Sequence, residues 1–258
     1  MPIWQLHMLN ARGALTPVMA EIRAHAREVV ALVEAHLDLP RFDLVVRAGD
    51  HGVPDWGIAG QAPTPGVIEL VLDPARVTPE HFRRTLVRQM HRLARWEGPG
   101  HGPSLGEALV GEGLAGHFVL QVMGGPADPW DQVRPVSGTL KQAAAGWARR
   151  DHDIGEWFLG RGRMRKWTGF GLGHRLVAEH LAEGQDAAAL VHAPADAFRQ
   201  ALRRLMAMEG IEEEAPVEAD AEPEAVAEPA EGTTPEAEAE PVASRDAGGP
   251  APRPPRPE

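Results

Sequence analysis

The chain has 258 residues, of which 37 are Asp or Glu and 26 are Lys or Arg, so its formal net charge is -11. Residues 212–258 contain 14 acidic and 3 basic residues, whereas residues 1–211 contain 23 of each sign. A nucleic-acid-binding domain needs a surplus of Lys and Arg, so the neutral first part argues against nucleic acid as a partner, and nothing in it favours an anionic membrane.

The sequence contains no Cys, which excludes disulfides, thiolate zinc sites and Cys nucleophiles. His, Asp and Glu are therefore the only side chains suited to hold a metal ion. The N-terminal segment lacks a basic region followed by an apolar stretch, and no window approaches the roughly 18 apolar residues of a membrane span. We therefore expect a soluble cytoplasmic protein.

The first predicted element is a helix that begins at Thr16, an N-cap, with Pro17 at its first position. Apolar residues then recur at near-helical spacing, and the helix is predicted to end near Pro40. Two apolar runs bounded by Pro, Gly or Asp follow, at residues 42–46 and 67–72. Both runs predict strands.

Two helices are then predicted on either side of a Gly-Pro-Gly turn at 98–100. Thr78 followed by Pro79 caps the first helix, and Ser104 with Glu107 three residues later forms a capping box for the second. Further helices are predicted at residues 139–149, 170–183 and 194–208. Helices therefore dominate, and the predicted fold class is α+β with a small sheet in the N-terminal third.

Residues 212–258 repeat Ala, Glu and Pro without apolar periodicity and contain no aromatic residue. Such a segment cannot bury enough apolar surface to offset its ordering entropy. We therefore predict one folded domain, residues 1–211, followed by a disordered acidic tail, residues 212–258. The tail is interpreted as a solvated tether, with partner binding as the alternative.

The predicted helix pair carries an extended sequence pattern. Residues 88–96 read Arg-Gln-Met-His-Arg-Leu-Ala-Arg-Trp, residues 98–100 read Gly-Pro-Gly, and residues 105–115 read Leu-Gly-Glu-Ala-Leu-Val-Gly-Glu-Gly-Leu-Ala. This order resembles a bacterial family of predicted zinc-dependent proteases, domain of unknown function 2268. Members of that family typically read His-Glu-x-x-His-x-x-Arg-Trp in the segment that corresponds to residues 88–96. Further matches, including Trp157-Phe158-Leu159-Gly160, extend the likeness over about residues 40–200.

The resemblance implies a zincin-like architecture in which two imidazoles and a downstream Glu hold zinc, and a further Glu activates the bound water. On that pattern Arg88 and Arg92 stand at the imidazole positions, Gln89 stands at the catalytic Glu, and Glu112 keeps the third ligand position. A guanidinium offers no lone pair to a cation, and a carboxamide does not accept a proton from water. We therefore expect no catalytic residue and no cofactor.

Two alternatives concern the charged residues of this degenerate site. An unpaired buried carboxylate is costly, so we expect Arg88, Arg92 or both to pair with Glu112, whereas the alternative is that both arginines point into solvent. A rearranged metal site would use His91 and His117 with Glu112, and zinc would then be the cofactor. Three further residues are candidates for lining the cleft: His152, Trp157 and Trp167.

The leading hypothesis is a catalytically inactive relative of a metalloprotease that uses its retained cleft to bind a peptide or a partner protein. One alternative is an active metallopeptidase with an unconventional ligand set. Another alternative is an adaptor protein that acts through its acidic tail. The sequence pattern leaves the oligomeric state, the substrate and the partner open, because a fold resemblance does not identify them.

Overall fold

The computed structural model describes residues 3–50 and 55–214, and the side chains up to residue 209. A four-stranded sheet is formed by β1 (Trp4–Leu9), β2 (Phe42–Ala48), β3 (Ile58–Thr64) and β4 (Val67–Leu72). The spatial order is β1-β2-β4-β3, with β1 and β4 parallel to β2 and with β3 antiparallel to β4. β3 is therefore an edge strand.

Helices account for most of the remaining described residues. They are α1 (Met19–Glu34), α2 (Pro79–Arg95), α3 (Leu105–Met123), α4 (Thr139–Gly146), α5 (Ile154–Leu159), α6 (Thr168–Leu181) and α7 (Arg199–Glu214). Short 3-10 turns at Thr16–Val18 and Ala195–Phe198 precede α1 and α7. The predicted class, α+β with dominant helices and a small N-terminal sheet, is confirmed.

The predicted strands correspond to β2 and β4, and the predicted helix pair corresponds to α2 and α3. The first helix differs from its prediction at both ends. Thr16 lies in a 3-10 turn instead of capping α1, and α1 ends at Glu34 well before Pro40. Leu37, which continued the predicted apolar spacing, is buried although it lies after the end of α1. The apolar spacing therefore extends beyond the helix and did not mark where it ends.

The helix α2 lies at the centre of the fold. It packs against β3 and β4 of the sheet and against α1 and α3. As a result, twelve of its 17 residues are buried, including Arg84, Arg88 and Arg95. Charged side chains on this helix cannot all reach water, so they require partners inside the protein.

The starts of α2 and α3 are fixed by side-chain caps. Thr78 Oγ1 and Ser104 Oγ each accept a hydrogen bond from the backbone N–H three residues later, at 3.1 and 3.2 Å. The Glu107 side chain does not return to the cap of α3. Its carboxylate accepts hydrogen bonds from Arg95 Nη2 and from the backbone N–H of Ala195, each at 2.8 Å, and so connects α2, α3 and the turn before α7.

The helices α3 and α6 approach each other through glycines. A Cβ added at Gly113 would overlap the carbonyl group of Gly173, and a Cβ added at Gly173 would overlap the carbonyl oxygen of Leu109. Only glycine permits this approach. The contact holds α3 against α6 at the level of Glu112.

At the C-terminal end of the described residues, α7 continues to Glu214, three residues past the predicted boundary at residue 211. The rest of the predicted tail lies outside the described residues. Within residues 3–50 and 55–214, no helix combines the length and apolarity that crossing a bilayer requires.

Candidate functional site

The helix α2 carries three arginines at four-residue spacing: Arg84, Arg88 and Arg92. Residues at this spacing are rotated by only about 40° around a helix, so the three side chains follow one another along one side. Arg84 and Arg88 are buried, and Arg92 is partly buried. Three carboxylates are close to them, from Glu112, Asp128 and Asp131.

Glu112 lies on α3 opposite the second and third arginine. Its Oε1 is 2.9 Å from Arg92 Nη1, and its Oε2 is 3.7 Å from Arg88 Nη1. The prediction that Arg88, Arg92 or both pair with Glu112 is confirmed, and both arginines do so. The alternative, in which both guanidinium groups point into solvent, is wrong because 5% of the Arg88 side chain and 23% of the Arg92 side chain are exposed.

Two carboxylates that sequence reasoning did not single out complete the network. Asp128 accepts hydrogen bonds from Arg84 Nε at 2.6 Å and from Arg88 Nη2 at 3.2 Å, and Asp131 Oδ2 pairs with the same Arg88 nitrogen. Trp130 lies between them in the chain, and its ring centroid is 5.3 Å from the Arg88 guanidinium carbon. The sequence signal for these carboxylates was the four-residue spacing of arginines on a helix that becomes buried. This spacing indicates that the arginines need carboxylate partners, but it does not say where in the chain those partners lie.

Three guanidinium groups and three carboxylates balance each other in formal charge. Burial disfavours the charged form of Arg88, but the surrounding carboxylates, with Asp131 first, outweigh it and raise the pKa of this arginine. Burial raises the pKa of Asp131 to about 7, against the opposing effect of Arg88. The network is therefore neutral when Asp131 is ionised, and it gains one positive charge when Asp131 takes up a proton.

Gln89, which the sequence resemblance aligns with a catalytic Glu, is buried where α2 packs against β3. Its Cγ lies so close to Gly60 of β3 that a Cβ added at that glycine would come within 2.8 Å of it. The Gln89 Oε1 atom is buried without a hydrogen-bond partner in the described part of the chain. A carboxamide at this position can orient a polar group but cannot act as a general base.

The two histidines considered for a rearranged metal site contact backbone carbonyl groups instead of Glu112. His91 Nε2 lies 3.3 Å from the carbonyl oxygen of Ala187, and burial lowers the pKa of His91 to about 3. His117 Nε2 lies 2.9 Å from the carbonyl oxygen of His174. Among the described residues, no group of three or more metal-binding side chains is placed to hold an ion, so His91 and His117 are not brought together with Glu112.

The donor set between α2 and α3 does not fit zinc. Arg88 and Arg92 point guanidinium nitrogens at the carboxylate that would remain as a ligand, and these nitrogens have no lone pair to donate. A divalent cation at this position would also stand beside two positive charges. The site is an ion-pair network that joins two helices.

A groove of about 610 Å³ lies beside this network. Its lining includes Arg92 and Glu112 of the network and His152, which was predicted to line the cleft. The remaining lining comes from β3, the turn after α2, and the region of α5 and α6: Gly60, Gln61, His101, Gly102, Pro103, Ala108, Arg150, Ile154, Phe158, Leu159 and Phe170.

The two tryptophans predicted for the cleft lie elsewhere. Trp157 borders a neighbouring hollow of about 430 Å³ that shares His152 with the groove. Trp167 lines neither hollow. Its ring packs against Trp130, with 6.2 Å between ring centroids, and Lys166 Nζ lies 4.4 Å from its centroid.

The fold is α+β, and the site joins two successive helices, α2 and α3. Residues 22–200 match the family model described as predicted Zn-dependent protease (DUF2268). Because this match covers more than half of the chain, the chain belongs to that family. No curated protein and no solved structure matches the chain.

Proposed function

We propose that this chain is a catalytically inactive member of its protease family, in which ion pairs occupy the position of the metal centre. The observation that carries the proposal is the pairing of Glu112 with Arg92 at 2.9 Å and with Arg88 at 3.7 Å. A zincin-like architecture is part of the proposal, since the edge strand β3 and the helices α2 and α3 surround one groove.

The chemistry of these side chains supports inactivity. Metal-dependent hydrolysis of a peptide bond requires a Lewis acid to polarise the carbonyl and a base to accept a proton from water. At the family's ligand and base positions the chain offers two guanidinium groups and the amide of Gln89. Neither kind of group generates hydroxide at neutral pH.

The retained groove supports a binding role for a peptide or a partner protein. It combines an apolar wall with a few charged groups, as ligand sites commonly do. No observation favours the alternative of an active metallopeptidase that uses His91 and His117. The adaptor alternative, which depends on residues 212–258, and the cytoplasmic location stay predictions.

The first test is the zinc content of the purified chain together with its cleavage of casein and peptides. We expect substoichiometric zinc after dialysis against zinc-containing buffer, and no cleavage that a chelator abolishes. Stoichiometric zinc with chelator-sensitive cleavage would overturn the proposal, and this measurement needs no variant.

The second test restores the family residues with the variant R88H/Q89E/R92H. We expect it to gain zinc affinity, because two imidazoles and Glu112 then provide ligands. The matched control R88H/R92H keeps Gln89, so it should bind zinc without cleaving peptide. Circular dichroism checks that both variants are folded, and a folded triple variant without zinc affinity would contradict the zincin-like part of the proposal.

A further inference from the structure

The groove beside Arg92 has an apolar wall that is open to solvent. Ile154 and Leu159, at the two ends of α5, are 60% and 46% exposed, and they are two of the seven large apolar side chains so exposed in the described part of the chain. Phe158 and Phe170 lie behind them with ring centroids 5.1 Å apart. Exposed apolar surface beside charged groups is typical of a ligand site.

Two guanidinium groups line the same groove with unused donors. Arg92 pairs with Glu112 through Nη1, while its Nε is buried and has no hydrogen-bond partner among the described residues. Arg150 is exposed and makes no ion pair within the described residues. His152 Nε2 is also buried without a partner there.

The carboxylate in the groove does not offset both cations. Glu112 is already shared between Arg92 and Arg88, so its charge is neutralised inside the network. The Arg92–Glu112 pair therefore adds no net charge, and Arg150 supplies the uncompensated positive charge of the groove. Together with the unused donor of Arg92, this charge attracts an anion that presents two oxygens. Since one wall is apolar, the anion is expected to belong to a ligand with an apolar part next to its charge.

The edge strand β3 runs beside the groove. Gly60 and Gln61 line it, and β3 pairs with β4 but with no other described strand. An unpaired strand edge offers N–H and C=O groups to a second backbone. This favours a peptide over a simple alkyl carboxylate as the occupant.

We propose that the groove binds the carboxyl terminus of a peptide whose last residue is apolar. The terminal carboxylate pairs with Arg92 and Arg150, the last side chain contacts Ile154 and Leu159, and the peptide backbone follows β3. A volume of about 610 Å³ is in the range that holds a ligand of a few residues. The inference rests on the proposed function, since it assigns a ligand to the groove that the proposed function retains for binding.

The test is fluorescence anisotropy with the full chain and a fluorescein-labelled pentapeptide, Gly-Ala-Gly-Ala-Leu, as the free acid and as the C-terminal amide. We expect the free acid to bind at least about tenfold more tightly, because charge-assisted hydrogen bonds are lost in the amide. Arg150→Gln should remove about tenfold of that preference, and Leu159→Ser should weaken both peptides. Arg149→Gln is the matched control, because Arg149 is exposed, pairs with Asp151 and lies outside the groove.

Equal affinity for acid and amide, or no binding of either up to about 1 mM, would overturn the inference. Decanoate serves as a competitor that has a carboxylate and an apolar part but no peptide backbone. If it displaces the labelled peptide at the same concentration as the unlabelled peptide does, the choice of a peptide is overturned. The two proposals fail separately. Chelator-sensitive cleavage of a tightly bound free acid defeats inactivity alone, whereas absent binding with absent cleavage defeats the carboxylate site alone.

Discussion

The charge of Arg92 is balanced by a single carboxylate. Within the described residues Arg92 forms an ion pair with Glu112 only, and 23% of its side chain is exposed. Glu112→Gln keeps the shape of the side chain and removes the charge, which leaves Arg92 unpaired and weakens the environment of Arg88. We expect the free energy of unfolding to fall by about 2–3 kcal/mol, measured by urea denaturation.

The control for this substitution is Glu183→Gln. Glu183 pairs with Arg204, and both side chains are partly exposed, 47% and 34%. Exposed ion pairs contribute little, so we expect a loss below about 1 kcal/mol. Similar losses in the two variants would contradict the role of Glu112 as a buried link between helices.

His91 makes the stability of the fold depend on pH. Burial lowers its pKa to about 3, whereas in the unfolded chain the pKa is about 6.5. Below about pH 6.5 the unfolded chain takes up a proton that the folded chain does not, so this residue's contribution to stability is lost as the pH falls.

The variant His91→Gln removes this dependence, since glutamine does not titrate and can still donate to the Ala187 carbonyl group. Relative to the variant, the unsubstituted chain should lose about 2 kcal/mol of unfolding free energy between pH 7.5 and pH 5. Urea denaturation at the two pH values measures the difference. A difference between the two proteins that does not change with pH would show that the pKa of His91 is the same in the folded and the unfolded chain.

Part of the site could be predicted from the sequence. The pairing of Arg88 and Arg92 with Glu112 follows from helical spacing and from the order of the family motif. Asp128 and Asp131 could not be predicted, because they lie after the end of α3 and no periodicity relates a loop position to a helix. His152, Trp157 and Trp167 were all proposed for the cleft from the likeness of their segments to the family; His152 lines the groove beside the network, and the two tryptophans do not.

The helices and strands that could be predicted are those whose ends are marked by a capping residue, a proline or a glycine. Thr78 and Ser104 mark the starts of α2 and α3, and Pro and Gly bound β4. β1 was missed although its alternating apolar and polar residues are typical of a strand. β3 was missed because it contains Gly60 and Pro63, which are poor strand formers. The six residues of α5 are too few to show a helical period.

Two glycines of α3 test the packing of α3 against α6. A Cβ at Gly111 would have its nearest neighbour, Arg95 Nε, at 3.6 Å, whereas a Cβ at Gly113 would overlap the backbone of Gly173. Gly111→Ala should therefore stabilise the chain by about 0.5–1 kcal/mol through helix propensity. Gly113→Ala gains the same propensity but should destabilise the chain by about 2 kcal/mol or more.

Thermal and urea unfolding of the two alanine variants provide the comparison. Because both changes are identical and lie two residues apart on one helix, propensity cancels between them. A Gly113→Ala variant as stable as Gly111→Ala would show that α3 and α6 do not approach as closely as described.

The net negative charge of the chain comes from residues 212–258, whereas all aromatic residues lie before residue 212. We expect a chain that ends at Ala215 to keep its free energy of unfolding within about 0.5 kcal/mol. A chain that ends at Phe198 is the control, because it lacks α7 and its buried Ala201, Leu202 and Leu205. Urea denaturation should show a clear loss for the shorter chain only, and a loss in both would mean that residues 216–258 contribute to the fold.

Under the proposed function, in which arginines have replaced the metal ligands, the balanced arginine network has an evolutionary consequence. Changing Arg88 alone back to histidine would leave Asp128 and Asp131 short of a cation, and changing Arg92 alone would leave Glu112 with the more distant Arg88. Each single-step revertant would therefore be less stable before it acquired any affinity for an ion. The replacement of metal ligands by arginines is therefore hard to reverse, because a lineage that has accumulated these substitutions regains a metal centre only through several mutations fixed together.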